Sequence, residues 1–234
     1  FLGIGGLLSS SSLSAFQGQS IERVIFPTGQ MRLTRRLSRS LRDGKAIIVT
    51  RSWIIEFQPL SQGASVNGEQ IFVDVKAPEA LARLSEIEAA RPSGMFPLLL
   101  APDGTLMAAG ENTSQKTIDD AIKAAQALFE AKGFSKAEAA KQGQYMAQLQ
   151  RVSGSLLDEV PIELFNPSTE AYREVREVSM PDGGVGEFEV SWAAARQKDS
   201  WLLASAKREV VTRIGESERR ASEEWTLSPT PQLP

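Results

Sequence analysis

The stretch MRLTRRLSRSLRDGKAIIVTRSWIIEF, residues 31–57, decides the fold because it places two alternating segments on either side of one turn dipeptide. In its second segment, 46–57, the residues Trp53, Ile55 and Phe57 alternate with polar or smaller residues. A period of two is typical of a strand that buries one face. The segment therefore predicts a β-strand whose buried face carries these three side chains.

The first segment, 31–41, fits two kinds of secondary structure. Leu33, Leu37 and Leu41 share one face of a strand, and they equally share one face of a helix. The Asp-Gly dipeptide at 43–44 tolerates the positive φ that a tight hairpin requires. Because this turn leads into a clear strand, we predict that the first segment is also a strand and pairs with it in antiparallel fashion.

Three more dipeptides of this kind predict further hairpins. Asn67-Gly68, Asp103-Gly104 and Asp182-Gly183 lie between apolar or alternating runs. The first of them should lead into a third strand at 70–75. The second should connect a hairpin formed by residues on either side of it.

The last third of the chain returns to alternation. Phe188, Val190 and Trp192 alternate with charged or polar residues, which predicts a half-buried strand. The segments 202–214 and 219–227 alternate in a similar way and predict two more strands.

Three helices are expected between the two groups of strands. The first, at 77–91, carries Pro78 in its opening turn, where the missing N–H is no disadvantage. The other two, at 114–131 and 135–150, form a predicted helical insert. Because an amphipathic sheet needs cover for its apolar face, we predict an α+β fold. Its core is a curved antiparallel sheet of roughly eight to ten strands, open enough to form a half-barrel, packed against about three helices.

The chain is expected to contain one main domain. This domain spans 21–227 and includes the helical insert 114–150. The segment 1–20 begins with an apolar run followed by serines, as in the later part of a secretory signal, although no charged region precedes it. Export to the periplasm or secretion from a bacterium is one interpretation, and a flexible tail is the other. The proline-rich segment 228–234 is expected to be disordered.

The composition excludes several classes of chemistry. The 234 residues include no histidine and no cysteine, which removes disulfides, thiol and imidazole catalysis and the usual zinc ligands. The formal net charge is −3, whereas nucleic-acid binding usually needs a basic surface. We therefore expect no nucleic-acid partner, no cofactor and no metal ion. No apolar run approaches the length of a transmembrane helix.

Arginines are the most prominent charged residues of the first strand. If the segment is a strand, Arg35 and Arg39 point with the leucines, and the other arginines of the segment point away. One interpretation is an anionic ligand or an acidic partner. The other is a charged edge strand that resists pairing with a second chain.

Two further arginines, Arg51 and Arg208, interrupt apolar faces. A buried arginine needs a carboxylate or hydrogen-bonded carbonyl groups around it. The acidic residues on nearby predicted strands are Glu56, Asp74, Glu209 and Glu223. Each arginine is therefore either part of a structural ion pair or an anchor for an anion inside a cavity.

Two glutamates offer a weaker enzymatic interpretation. Glu187 and Glu189 share one face of a predicted strand, and pairs of carboxylates act as acid and base in glycoside hydrolysis. Such pairs usually come from different elements across a cleft, so solvated surface charges explain these two residues better.

The leading functional hypothesis is a non-enzymatic envelope protein that binds a lipid or another apolar or amphiphilic ligand between sheet and helices. The predicted ligand site consists of Trp53, Ile55, Phe57, Arg35, Arg39 and Arg51. The predicted architecture is similar to that of periplasmic half-barrel carriers, which hold acyl chains under a helical lid, and this similarity concerns the fold alone. The alternatives are an interaction subunit with a filled core that docks a protein partner, and a carboxylate-dependent hydrolase.

Overall fold

The computed structural model describes residues 23–41, 43–92, 94–107, 123, 127, 145–147, 149–151, 154, 156–180 and 183–230. Within these residues the chain forms one open antiparallel sheet of eight strands. The strands are β1 (Gln30–Ser40), β2 (Ala46–Pro59), β3 (Ala64–Lys76), β4 (Leu98–Leu100), β5 (Tyr172–Ser179), β6 (Val185–Arg196), β7 (Leu203–Ile214) and β8 (Ser217–Pro229). The predicted α+β class with an antiparallel sheet is confirmed.

The sheet consists of two meanders joined in the middle. The strand order is β4-β3-β2-β1-β8-β7-β6-β5, so β1 pairs with β2 on one side and with β8 on the other. Each hairpin partner is next in sequence, whereas the β1–β8 pairing joins residues such as Leu33 and Leu227. One face of the sheet, here called the inner face, packs against the hydrophobic clusters described below, and the other is the outer face.

The first hairpin agrees with the sequence prediction. The segment that could have been a helix forms β1, and the N–H of Leu41 donates to the carbonyl of Lys45 at 2.7 Å. Gly44 has a φ of 78°, the conformation that the Asp-Gly dipeptide was expected to supply. Along β1, Met31 and Leu33 are buried on the inner face, as the alternation requires.

The predicted turn at Asn67-Gly68 is wrong, because both residues lie within β3. The chain turns instead at Gly63, which has a φ of 83°, and the N–H of Leu60 donates to its carbonyl at 3.0 Å. Gly68 has a packing role: a Cβ at this position would lie 2.6 Å from the ring of Phe96. A local dipeptide preference cannot reveal such a tertiary contact.

The remaining turns and strands agree with the sequence prediction in part. Gly104 and Gly183 occupy turns as expected, although Asp182 lies outside the described residues. Strand β5 was not predicted, because half of its side chains are charged, most are exposed, and they show no apolar alternation. Strand β8 runs on through Pro229, so the predicted disordered tail begins too early. Beyond Thr226 this strand pairs only with β1, and a proline is tolerated where one side of a strand is unpaired.

Of the three expected helices, the described residues include the whole of the first and parts of the other two, with residues 123 and 127 helical within the predicted helix 114–131. A 3-10 turn (Glu79–Leu81) leads into α1 (Ala82–Ala90), close to the prediction. The second helix, α2, comprises the described helical residues between 145 and 158. Segment 1–20, the predicted helix 114–131 apart from residues 123 and 127, and most of the first half of 135–150 lie outside the described residues.

Helices α1 and α2 cover the inner face unequally. The side chains of Tyr145, Met146, Leu149 and Leu157 on α2 are buried in a cluster with strands β5 to β8. By contrast, α1 buries none of its residues. A second cluster fills the opposite end of the sheet and contains Trp53, Ile55, Trp225, Leu164 and Phe165. Among the described residues, neither helix therefore covers the part of the inner face over β1, β2 and β3 that lies between α1 and α2.

Candidate functional site

Three adjoining cavities form a groove over this open part of the inner face. Their volumes are about 460, 560 and 300 Å³, and each falls within the usual range for ligand pockets. Asp158, at the end of α2, lines all three cavities. Leu37 and Val49 line the first and third, while Arg39 and Ile47 line the second and third. The shared residues show that the three cavities adjoin, and together they are called the groove.

The floor of the groove has an apolar section, with arginines beside it, because of strand alternation. Leu37 on β1 lies opposite Val49 on β2 and, two residues along, Arg39 lies opposite Ile47, so these side chains share the inner face. Leu84 and Ile87 of α1 form an apolar wall and are 57% and 60% exposed. These two large apolar side chains are exposed to solvent beside an apolar section of the floor. Such a surface favours a ligand with a hydrocarbon part.

Arg51 is buried at one end of the groove, with its side chain 11% exposed. Its Nη2 donates to the carbonyl of Glu88 at 2.7 Å and to the Glu88 carboxylate at 3.0 Å. Its Nη1 donates to the carbonyl of Arg91 at 3.0 Å and to the side-chain oxygen of Gln70 at 3.2 Å. The guanidinium thus ties β2 to the end of α1. Its one carboxylate partner, Glu88, is 37% exposed.

Arg208 is buried in a different environment. It lies opposite Glu223 in the β7–β8 register and forms an ion pair with this glutamate, whose side chain is fully buried. Arg35 approaches the same carboxylate from β1, at 2.9 Å from Nη2, and stacks over the ring of Trp225 at 5.0 Å. Arg208 also donates to the carbonyl of Glu159 at 2.8 Å. Two arginines therefore share one buried carboxylate, which leaves a net positive charge beside the groove.

Arginines exceed carboxylates along the groove. Nη2 of Arg39 donates to Asp158 at 2.8 Å, across the middle of the groove. The arginines that line the cavities are Arg35, Arg39, Arg51, Arg91, Arg151, Arg219 and Arg220. The carboxylates among the described lining residues are Glu88 and Asp158. This excess of positive charge favours an anion.

The structure brings together four of the six predicted site residues. Arg35, Arg39 and Arg51 line the groove, as does Trp53, which packs edge to face against Phe96 with ring centroids 6.1 Å apart. The other two are elsewhere. Ile55 and Phe57 are buried in the hydrophobic cluster, where Phe57 contacts Phe165, and neither lines a cavity of the groove.

The predictions for the remaining arginines of β1 concern the opposite face. Arg32 and Arg36 point to the outer face, where Arg36 is 3.5 Å from Glu224. Arg42 lies outside the described residues. The strand is central rather than an edge strand, so protection of an edge does not explain its charges.

Glu187 and Glu189 belong to an ion-pair network on the outer face. Glu189 accepts from Nε of Arg173 at 2.6 Å and from Nη1 of Arg213 at 2.8 Å, and Arg213 also contacts Glu187. The hydrogen bonds from Arg173 and then Arg213 lower the pKa of Glu189 to about 2. A carboxyl group held ionised in this way is a poor general acid at neutral pH.

Sequence reasoning missed the residues that come from α1 and its ends. The helix at 77–91 was expected to cover the sheet, and instead its exposed Leu84 and Ile87 line the groove. Arg91 had no distinguishing pattern, since its role depends on where α1 ends. Arg219 lies on the inner face of β8, which the alternation with Ala221 already indicated.

No protein-family model matches the chain, and no curated protein matches it in sequence. The roles of the groove residues therefore follow from their geometry and charge. In the described part of the chain, no helix has the length and apolar character needed to cross a membrane. Likewise, no three acidic side chains among the described residues are grouped closely enough to hold a metal ion.

Proposed function

We propose that the protein is a non-enzymatic binding protein that holds an anionic amphiphile in this groove. The observation that supports the proposal is an apolar floor lined by more arginines than carboxylates. An apolar floor favours a hydrocarbon chain, and guanidinium groups favour a carboxylate or phosphate. Fatty acids and lipids combine both properties, so they are the proposed ligand class.

The proposed ligand places its anionic group near Arg51 and Arg91. Arg91 is 75% exposed at the groove's end, and its side chain is 4.0 Å from Glu88. The carboxylate of Glu88 is itself partly exposed, so a ligand carboxylate can reach the same arginines without displacing a buried group. The hydrocarbon chain then lies along Leu37, Ile47 and Val49, against Leu84 and Ile87.

The proposal includes export. The apolar and serine-rich segment 1–20 predicts a periplasmic or secreted protein, and a bacterial envelope supplies anionic amphiphiles in quantity. Native mass spectrometry of the protein purified from an envelope fraction, with lipid analysis of an organic extract, tests this part. We expect a stoichiometric apolar mass that leaves on extraction. A preparation without such a mass, which also takes up no fatty acid when it is added, would contradict the proposal.

Substitutions at exposed positions test the site with little effect on the stability of the fold. We expect Arg91→Gln and Ile87→Asp each to weaken the binding of a fluorescent fatty acid by about tenfold, because each removes one interaction of about 1.4 kcal/mol or more. Arg36→Gln is the matched control, since this arginine is half exposed on the outer face. Displacement titrations with palmitate measure the affinities. Equal affinities in Arg91→Gln, Ile87→Asp and the control would place the ligand elsewhere.

A second candidate function is an interaction subunit that pairs with an extended segment of another protein. In the described residues, β3 pairs with β4 at Ala64–Val66 alone, so the rest of this strand has one unpaired edge. Ile71 and Phe72 on this edge are 44% and 50% exposed. By contrast, four of the eight residues of the edge strand β5 are charged. Edge strands with apolar side chains recruit further strands. Cross-linking through a photoreactive residue at position 71 tests this function. Adducts with another protein that Phe72→Lys abolishes would support it, and the absence of adducts, or adducts that Phe72→Lys does not change, would contradict it.

A further inference from the structure

The largest cavity of the groove lies at its other end, beside the β1–β2 hairpin. It has a volume of about 560 Å³, and Arg39 and Ile47 connect it to the apolar section. Its lining includes Arg151 and Gln150 from α2 and Arg219 from β8. The proposed anion site at Arg51 does not use this cavity.

Arg219 is the key residue of this second cavity. It lies opposite the buried Thr212, so its side chain starts from the inner face. Its Nη1 donates to the carbonyl of Glu218 at 2.7 Å, and its Nε is buried without a hydrogen-bond partner. In the described part of the chain, no carboxylate lies within ion-pair distance of this guanidinium. Unsatisfied buried N–H groups are costly. Because Arg219 also lines the cavity, an anion there can pair with the charge of its guanidinium.

The neighbouring charges do not neutralise Arg219. Asp158, the one carboxylate among the described lining residues, is held by Arg39 at 2.8 Å. Arg220 turns to the outer face, where it bonds Glu209 at 2.8 Å and Glu218 at 2.7 Å. Among the described lining residues of this cavity, arginines therefore outnumber carboxylates.

The two cationic ends are separated by the apolar floor. Arg51 lies opposite Arg35, and Arg39 lies opposite Ala221. Arg219 is two residues beyond Ala221 along β8, so it lies about six residues from Arg35 along the strand direction. At about 3.3 Å per residue, the ends are about 20 Å apart. A single extended hydrocarbon chain of ordinary fatty-acid length spans a comparable distance.

We propose that the ligand carries two anionic groups at opposite ends of an apolar chain, one bound near Arg51 and the other by Arg219. This inference rests on the proposed function, because it assumes that an amphiphile occupies the groove. It adds a second anion subsite and a length requirement. Long-chain dicarboxylates and amphiphiles with two separated phosphates share this chemistry.

Competition between two acids of equal chain length tests the inference. We expect the protein to bind hexadecanedioate about tenfold more tightly than palmitate, as a second charge-assisted contact provides. Arg219→Gln should abolish this preference, lowering the affinity for hexadecanedioate by about tenfold and that for palmitate by much less. Arg36→Gln, on the outer face, should keep both affinities. Circular dichroism checks that each variant is folded.

The outcomes separate this inference from the proposed function. Palmitate binding with no gain for hexadecanedioate would overturn the second subsite and leave the amphiphile site in place. Equal losses for both acids in Arg219→Gln would also overturn it, because Arg219 would then act on the groove as a whole. If neither acid binds, the proposed function and the inference fail together. A bisphosphate amphiphile that binds more tightly than hexadecanedioate, again only with Arg219 present, would support the subsite and identify the phosphate source.

Discussion

Arg208 and Arg51 interrupt the apolar face of neighbouring parts of one sheet, yet they are neutralised in different ways. Arg208 and Arg35 share the carboxylate of Glu223, which is fully buried. Arg51 is held by two backbone carbonyls, a glutamine and the partly exposed Glu88. A ligand anion cannot replace a fully buried carboxylate as the partner of an arginine, whereas it can replace a carboxylate that is partly exposed. The difference separates a structural ion pair from a site that can receive an anion.

The largest expected effect is on the structural pair. Glu223→Gln would leave two arginines in the interior without a negative partner, and breaking a buried ion pair in this way costs about 3–5 kcal/mol. Chemical denaturation at neutral pH measures the loss in the free energy of unfolding. The matched control is Glu224→Gln, since Glu224 pairs with Arg36 on the solvated outer face, and its change should stay below about 1 kcal/mol. Similar losses in both variants would show that Glu223 is less important than its burial indicates.

Lowering the pH is expected to have an intermediate effect on the free energy of unfolding. Glu189 is 8% exposed and two arginines lower its pKa to about 2, from 4.5 in an unfolded chain. Its contribution to stability is therefore complete above pH 4.5 and is lost as the pH falls toward 2. Glu189→Gln should be less stable than the parent protein at pH 7, with a smaller difference at pH 3. Urea unfolding at the two pH values measures this, and a difference that stays constant would contradict it.

The smallest expected effect on stability belongs to the exchangeable site. Glu88→Gln removes a carboxylate that is 37% exposed, while both backbone carbonyls still bind Arg51. We expect a change below about 1 kcal/mol in the free energy of unfolding. Fatty-acid affinity should rise, because the ligand no longer competes with an internal anion. Weaker binding in this variant would mean that Glu88 helps to hold the ligand. It would contradict the conclusion that a ligand anion replaces Glu88 beside Arg51.

The sequence indicated that both arginines are buried, because alternation along a strand assigns each position to a face. It also included Glu223 among the possible partners of Arg208, since these residues belong to neighbouring predicted strands. The sequence did not identify Glu88 as the carboxylate partner of Arg51. That contact depends on where α1 crosses the sheet, which no local pattern encodes. The same limitation explains Asn67-Gly68: the glycine is required by the ring of Phe96 rather than by a turn.

The groove was predicted in part. Arg35, Arg39, Arg51 and Trp53 were identified because they interrupt or follow the strand pattern. Ile55 and Phe57 show the same alternation as Trp53, yet they pack against Phe165 and other residues that arrive from distant segments. The apolar wall of α1 was expected to be covered. Whether an apolar stripe faces a core or a cavity depends on the neighbouring elements, and sequence periodicity does not distinguish the two.

The pairing of β1 with β8 has a consequence for how the chain folds. On either side of it, each meander has hairpins that join strands close in sequence, and such hairpins form within microseconds. The seam between β1 and β8 pairs residues almost two hundred positions apart, as Met31 and Pro229 show. Non-local pairings of this kind slow folding, because the chain loses the entropy of a long loop before the contacts form. Glu223 on β8 meets Arg35 of β1 across this seam, so the buried ion pair can be completed only when the two halves join.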